Sequence, residues 1–174
     1  MSNRKPTAAA VRSRISYDQA TGVLTRLAFT DEAGRFWKER PVRVVTAPDK
    51  AGRRYLQISL FGYPYLVHRV VYLIVTGRWP RRDIDHVNGD VTDNRWSNLR
   101  PASRSQNCAN RGAAPSNRSG YKGVSLCADT GLWRARVKFK GRSTCLGRFA
   151  TPEDAYVAYT KAARRVHGQY ARAE

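Results

Sequence analysis

From Ile15 to Leu60, apolar and polar positions alternate in short runs with the two-residue period of half-buried strands. The clearest run is Arg54–Phe61, where Leu56, Ile58 and Leu60 alternate with Tyr55, Gln57 and Ser59. Shorter strand patterns stand at Val23–Arg26, after a polar turn at Ala20–Gly22, and at Arg40–Val45. Gly62–Pro64 reads as a turn. The period then changes: Val67–Thr76 is apolar almost all round and predicts a helix buried under the sheet, with Gly77 as its stop. Three further strand patterns follow at Tyr121–Leu126, Leu132–Lys140 and Ser143–Phe149. Thr151 then caps a helix with Pro152 in its first turn and Glu153 and Asp154 facing the dipole. Ala155, Tyr159, Ala162, Ala163 and Val166 give that helix one apolar face, and Gly168 ends it.

These elements predict an α+β chain in two parts. Residues 1–14 read as a loose basic leader, with a short helix beginning at Ala8–Val11. Residues 15–111 form a first domain, and 112–119, small and polar with Pro115, read as a linker. Residues 120–174 form a second domain of three antiparallel strands packed on one helix, a size at which a core is marginal. No repeat of solenoid length is visible.

Charge changes the picture. The 174 residues carry 25 Arg and 7 Lys against 13 acids, a formal net charge of +19. The excess is shared, with +11 on residues 1–112 and +8 on 113–174, so it is no basic tail. Arg in such excess suits phosphate and guanine edges and predicts an anionic partner. No apolar run approaches the ~20 residues of a membrane span, and the N-terminus lacks a signal core. Cys108, Cys127 and Cys145 stand 19 and 18 residues apart without a CxxC pair, which predicts free thiols and no structural zinc. The expected protein is soluble and intracellular.

The densest chemistry lies in Asp83–Arg111. Asp85 and His86 are adjacent and lead into an Asn88-Gly89 turn; Asn98-Leu99-Arg100 reads as a second short strand. Ser103 and Gln106 match a capping box, so a helix carries Asn107 about one turn in. Strand, loop, strand and helix together can set a carboxylate (Asp85) and an amide oxygen (Asn107) to one side of a cation, with an imidazole (His86) beside them. Hard oxygens suit Mg²⁺, and an imidazole near neutrality can take a proton from water. An isolated Asp-His pair or Asn-Gly step is usually only a turn; the joint pattern over 23 residues argues otherwise. Arg95, Arg100 and Arg104 read either as a solvated basic face or as phosphate contacts. His68 reads as ordering a helix start or touching a phosphate, Trp96 as core, and Cys108 has no required role.

The spacing of Asp85-His86, Asn88-Gly89, Asp93-Asn94, Asn98-Leu99-Arg100 and Asn107 resembles the HNH endonucleases. The likeness is to their phage and intron-homing kind, with Asn in place of the last His. Val67-His68-Arg69 is similar to that family's approach to the site. The resemblance implies a ββα-metal nuclease module in which His86 is the general base and Asp85 with Asn107 hold Mg²⁺, or Mn²⁺ as a substitute. Asn98 would brace the loop and the His86 backbone. It further implies 5′-phosphate and 3′-hydroxyl products, and a phage or mobile-element gene whose protein acts in the cytoplasm of a bacterial host.

A second resemblance covers residues 120–172. Tyr121-Lys122-Gly123-Val124, Trp133-Arg134-Ala135-Arg136-Val137, Leu146-Gly147-Arg148-Phe149, Ala155, Ala158-Tyr159 and His167-Gly168 resemble the ethylene-response-factor type of DNA-binding domain. Such domains lay a three-stranded sheet in the major groove. Independently, Trp133, Ala135, Val137 and Phe139 alternate with Arg134, Arg136, Lys138 and Lys140, which predicts one packed face and one cationic row. Lys122, Arg134, Arg136, Lys138, Lys140, Arg142, Arg100 and Arg104 are therefore the expected DNA contacts. Ser125, Ser143 and Cys145 replace reading residues of the plant members, so the resemblance does not carry over their target sequence. The expected function is a DNA endonuclease tethered by its C-terminal sheet; the alternative is a non-catalytic DNA-binding regulator on an HNH scaffold. No protein partner is required, and the sequence leaves target, oligomeric state, and nick or double-strand cut open.

Overall fold

Six of the ten residues in Val67–Thr76 are β-branched, a composition of weak helix propensity, so burial has to hold this helix together. Val67, Val70, Val71 and Leu73 are buried along it, and Gly77 at φ +76° takes the left-handed position that ends it. The structure, a computed structural model, describes residues 5–49, 52–114 and 116–172. The first four residues of the expected leader, Pro115 of the expected linker and the last two residues lie outside the described residues.

The chain divides into two compact units, 1–101 and 102–174. The first begins with α1 (Ala8–Arg12), capped by the Thr7 hydroxyl, which accepts from the Ala10 N–H. Strands β1 (Ile15–Tyr17), β2 (Leu24–Arg26), β3 (Phe29–Thr30), β4 (Phe36–Trp37) and β5 (Arg40–Pro41) follow. Then come β6 (Val45–Pro48), β7 (Arg54–Leu60), β8 (Tyr63–Leu66), α2 (Val67–Thr76), β9 (Asp83–His86) and β10 (Leu99–Ala102). Hydrogen bonding joins these strands as β1-β2-β5, β3-β4, β6-β7-β8 and β10-β9, and the β1-β2, β2-β5, β3-β4, β6-β7 and β7-β8 pairs are antiparallel.

Helix α2 packs on β7 and β8, and Ile58, Leu60, Val67, Val70, Val71, Leu73, Ile84 and Leu99 share its core. Trp96 is partly buried against that core, its ring 6.0 Å from Tyr72. Three local expectations change. Residues 5–14 are not a loose leader, because Val11 is fully buried and Arg12 Nε donates to the Ile74 carbonyl at 2.9 Å. Arg40–Val45 is not one strand: β5 ends at Pro41, the Val42 N–H still donates to the Leu24 carbonyl (3.1 Å), and a new strand starts at Val45 against β7. The β7–β8 turn is Phe61-Gly62, both at positive φ, so Tyr63 and Pro64 already lie in β8, an edge strand that tolerates proline.

The second unit holds α3 (Arg104–Ala109), β11 (Val124–Leu126), β12 (Trp133–Phe139), β13 (Arg142–Phe149) and α4 (Pro152–His167). The sheet is antiparallel in the order β11-β12-β13, and α4 packs on it over Val124, Ala135, Val137, Ala155, Tyr159 and Ala163. Thr151 caps α4 and Pro152 stands in its first turn, as the sequence predicts. A Cβ at Gly123 would lie 2.3 Å from the Tyr159 ring, so only glycine fits there. The unit begins at Ala102 rather than after residues 112–119 because Lys122 reaches back to α3. Its ammonium donates to the carbonyls of Cys108 (3.1 Å), Ala109 and Arg111. It thereby satisfies the orphan acceptors at that helix end.

Candidate active site and basic sheet face

Alternation along β9 sends Ile84 and His86 to one side and Asp85 to the other. Ile84 enters the core, and His86 meets the two rings that β7 and α2 place there. The His86 ring lies 5.3 Å from His68, edge-on, and 6.3 Å from Tyr55, while Tyr55 and His68 are 5.5 Å apart. Asp85 and His86 are each only 4 % exposed. On its own side Asp85 receives the guanidinium of Arg100 from β10, with Nε and Nη2 both 2.9 Å from Oδ2. A buried carboxylate needs such compensation.

The loop between the strands is organised by side chains. Gly89 at φ +76° completes the Asn88-Gly89 turn, its N–H on the His86 carbonyl at 2.9 Å. Asn98 holds the loop from both ends: its Oδ1 accepts from the Asn88 N–H (2.9 Å), and its Nδ2 donates to the Asp93 carbonyl (2.7 Å). Its backbone carbonyl accepts from Val87 at 2.8 Å. Asp93 is clamped by Arg95, which holds its carboxyl down to about 2. Asn94, buried, donates Nδ2 to the Thr92 carbonyl at 3.0 Å, which aims its Oδ1 at His86 Nε2, 3.4 Å away. The β1–β2 hairpin braces this loop, with the Tyr17 hydroxyl on the Asn94 carbonyl at 2.8 Å. A Cβ at Gly22 would lie 2.8 Å from the Arg95 nitrogen.

Burial lowers the His86 pKa, opposed by the Asn94 bond and by Asp85, Asp90 and Asp93. Burial, with smaller contributions from His86 and Arg69, pushes His68 down to about 3, so it is a neutral imidazole packed on the candidate base. That placement is closer to the chemistry than the sequence reading of His68 allowed. Asn94 was visible only as part of the Asp93-Asn94 step; its aim at His86 depends on the loop. Arg100, expected on DNA, is instead the partner of Asp85. Arg100→Met should therefore lower stability by about 3–5 kcal/mol, the range for breaking a buried pair. Urea unfolding checks this, and an unchanged midpoint would show that Asp85 does not depend on Arg100. Asn107 stands half-buried on α3 in the C-terminal unit, where the Ser103–Gln106 capping box is present as expected. Arg104, the first residue of that helix, is exposed.

The C-terminal sheet revises the cationic row. Arg134, Arg136 and Lys138 share its outward face, opposite Arg148, Cys145 and Ser143 of β13. Arg148, absent from the expected contacts, therefore joins the row, directly across from Arg134. Lys140 is not in the strand: Lys140-Gly141, at φ +46° and +83°, is the two-residue β12–β13 turn. Arg142 pairs with Phe139 and so belongs to the helix-facing side, where both line a cleft with Val137 and Arg165. Lys122 is committed to the α3 carbonyls, and burial pushes it down to about 8.

The HNH endonuclease family matches residues 65–109, the stretch that holds α2, the Asp85-His86 strand, the Asn98 loop and α3. Protein 3.8 of Escherichia phage T7 is 33% identical over 90 residues, 51% of this chain and 73% of the phage protein. The chain carries an HNH endonuclease domain. No solved structure matches it. The HNH domain so defined contains His68, Asp85, His86, Asn94, Asn98, Arg100 and Asn107, and it suggests a DNA endonuclease. HNH nucleases generally depend on a divalent metal. Among the described residues no group of three or more His, Cys, Asp or Glu is arranged to hold an ion, and no helix is long and apolar enough to cross a membrane.

Proposed function

We propose that the HNH domain hydrolyses phosphodiester bonds of duplex DNA with His86 as general base, and that the C-terminal sheet tethers it to the duplex. The observation that carries this reading is the buried Asp85-His86 pair, each side chain held by its own partner, Arg100 and Asn94, inside the matched segment. With Nε2–H directed at Asn94 Oδ1, the basic lone pair of the imidazole is on Nδ1, the atom that would take a proton from water. Asn98 keeps the loop in register, so the Asp85-His86 backbone is fixed before substrate arrives. His68 and Tyr55 wall the ring against rotation.

Asp85 and Asn107 would hold the cation, Mg²⁺ or Mn²⁺. The donor set suits it: one carboxylate and one amide oxygen are hard ligands, few enough for phosphate and water to complete the shell. When bound, the ion would offset negative charge growing on the phosphate and the departing 3′ oxygen. The residues of this chemistry lie within 15–111 and the DNA-binding sheet within 120–174, a functional division that differs from the compact units because α3 carries Asn107 in the second of them. The products are 5′-phosphate and 3′-hydroxyl ends. The homing-type likeness and the phage relative favour a phage or mobile-element enzyme working in the cytoplasm of a bacterial host.

Supercoiled DNA from the gene's own neighbourhood, incubated in Mg²⁺ or in EDTA, tests the reading. Relaxation in Mg²⁺ that EDTA abolishes is expected. Tight binding to that DNA with no cleavage in Mg²⁺ or Mn²⁺ would instead favour the DNA-binding regulator on an HNH scaffold.

A further inference from the structure

The β3–β4 hairpin is built without help from the core. Phe29 pairs with Trp37 and Thr30 with Phe36, and none of the four belongs to the buried cluster of its unit. Asp31 organises the loop instead: its carboxylate accepts from the Ala33 and Arg35 N–H groups, from Arg35 Nε (3.0 Å) and from Trp37 Nε1 (3.2 Å). One face of the ribbon is closed by ring packing. Phe29 and Trp37 lie nearly parallel, 10° apart, and the Arg14 guanidinium sits 3.6 Å from the Phe29 centroid. The other face carries Phe36, 65 % exposed. A two-stranded ribbon is marginal in water, and an exposed phenyl ring on it costs solvation unless something covers it.

The surroundings indicate what covers it. Residues 32–41 are all exposed, and in the sequence around the ring Arg35, Lys38, Arg40 and Arg43 outnumber Asp31, Glu32 and Glu39. An apolar side chain on a stiff support, flanked by cations, matches the way proteins unstack a duplex: the wedge enters a base step while Arg and Lys hold the adjoining phosphates. We propose that this hairpin is a DNA wedge, with Phe36 inserted between base pairs and Arg35, Lys38 and Arg40 on the flanking phosphates. The proposal rests on the DNA-endonuclease reading and adds to it a local distortion of the substrate, made by a part of the chain remote in sequence from the catalytic strand.

Insertion of a side chain unwinds DNA, so the test needs no cleavage. Closed circular plasmid is relaxed by a metal-independent topoisomerase in EDTA with saturating full-length protein, and the topoisomers are then separated. Wild type should shift the distribution towards unwinding. Phe36→Leu should keep the shift and Phe36→Ala should lose it. Phe36→Ala should also bind duplex about tenfold more weakly with an unchanged salt slope, because stacking releases no counterions. Wild type that binds the plasmid without unwinding it overturns the wedge alone, as does a Phe36→Ala protein that unwinds normally. A Phe36→Ala protein with unchanged DNA behaviour and a lost dimer in sedimentation would assign the ring to a copy-to-copy contact, which also overturns it. Wild type that fails to bind DNA at all sinks the nuclease reading together with the wedge.

Discussion

His86→Ala should lower the rate of DNA nicking by about 10²- to 10⁴-fold, the usual worth of a positioned general base, with DNA affinity unchanged. The separation of rate from affinity follows from burial. At 4 % exposed, His86 adds nothing to the basic surface that attracts DNA, and its neighbours are His68, Tyr55 and Asn94. Removing the ring also opens a void beside Tyr55 and His68, so thermal unfolding has to accompany the kinetics. A folded, DNA-binding variant that nicks at the wild-type rate would remove His86 from the mechanism. Asn94→Ala is a useful companion, because it leaves the imidazole in place and removes only what aims it. An intermediate rate is expected there, whereas a wild-type rate would show that packing against His68 and Tyr55 suffices to orient the ring.

Local signals were legible in the sequence because their causes are local. The Ser103–Gln106 capping box, the Thr151 cap and the Gly77 stop each act within four residues, and all three are present. The Asp85-His86 strand was legible in the local pattern, whereas the Asn98 brace came only from the family resemblance, and Asn98 itself closes a 3-10 turn just before β10 rather than opening that strand. What escaped depends on contacts between distant residues. Arg100 meets Asp85 only because β9 and β10 pair, and His68 meets His86 only because α2 packs beside β9. Alternation carried Lys140 onto the DNA face because it ignores turns, and Arg142 was counted as a contact beside it. A two-residue hairpin at Lys140-Gly141 takes the first out of the strand, and its register returns the second on the opposite face. Lys122 counted as one more cation until the open carbonyls at the end of α3 claimed it.

That revision of the row makes the second large effect specific. Arg134, Arg136 and Lys138 stand together on β12, and Arg134 faces Arg148 directly across the ladder. Like charges so placed repel and destabilise the bare sheet, a cost that phosphates would reverse. Each phosphate contact contributes about 0.9 to the slope of log affinity against log salt, so replacing all three by Gln should flatten that slope by about 2.7. At physiological salt the affinity should fall about 10²-fold. The matched control is Lys140→Gln with Arg142→Gln, which removes two cations from the same hairpin but from the turn and the helix-facing side. If the outward face is the DNA surface, the control should lose less than one unit of slope. Equal loss per charge in the two variants would mean that the duplex senses only total charge, and the sheet face would then have no role in docking.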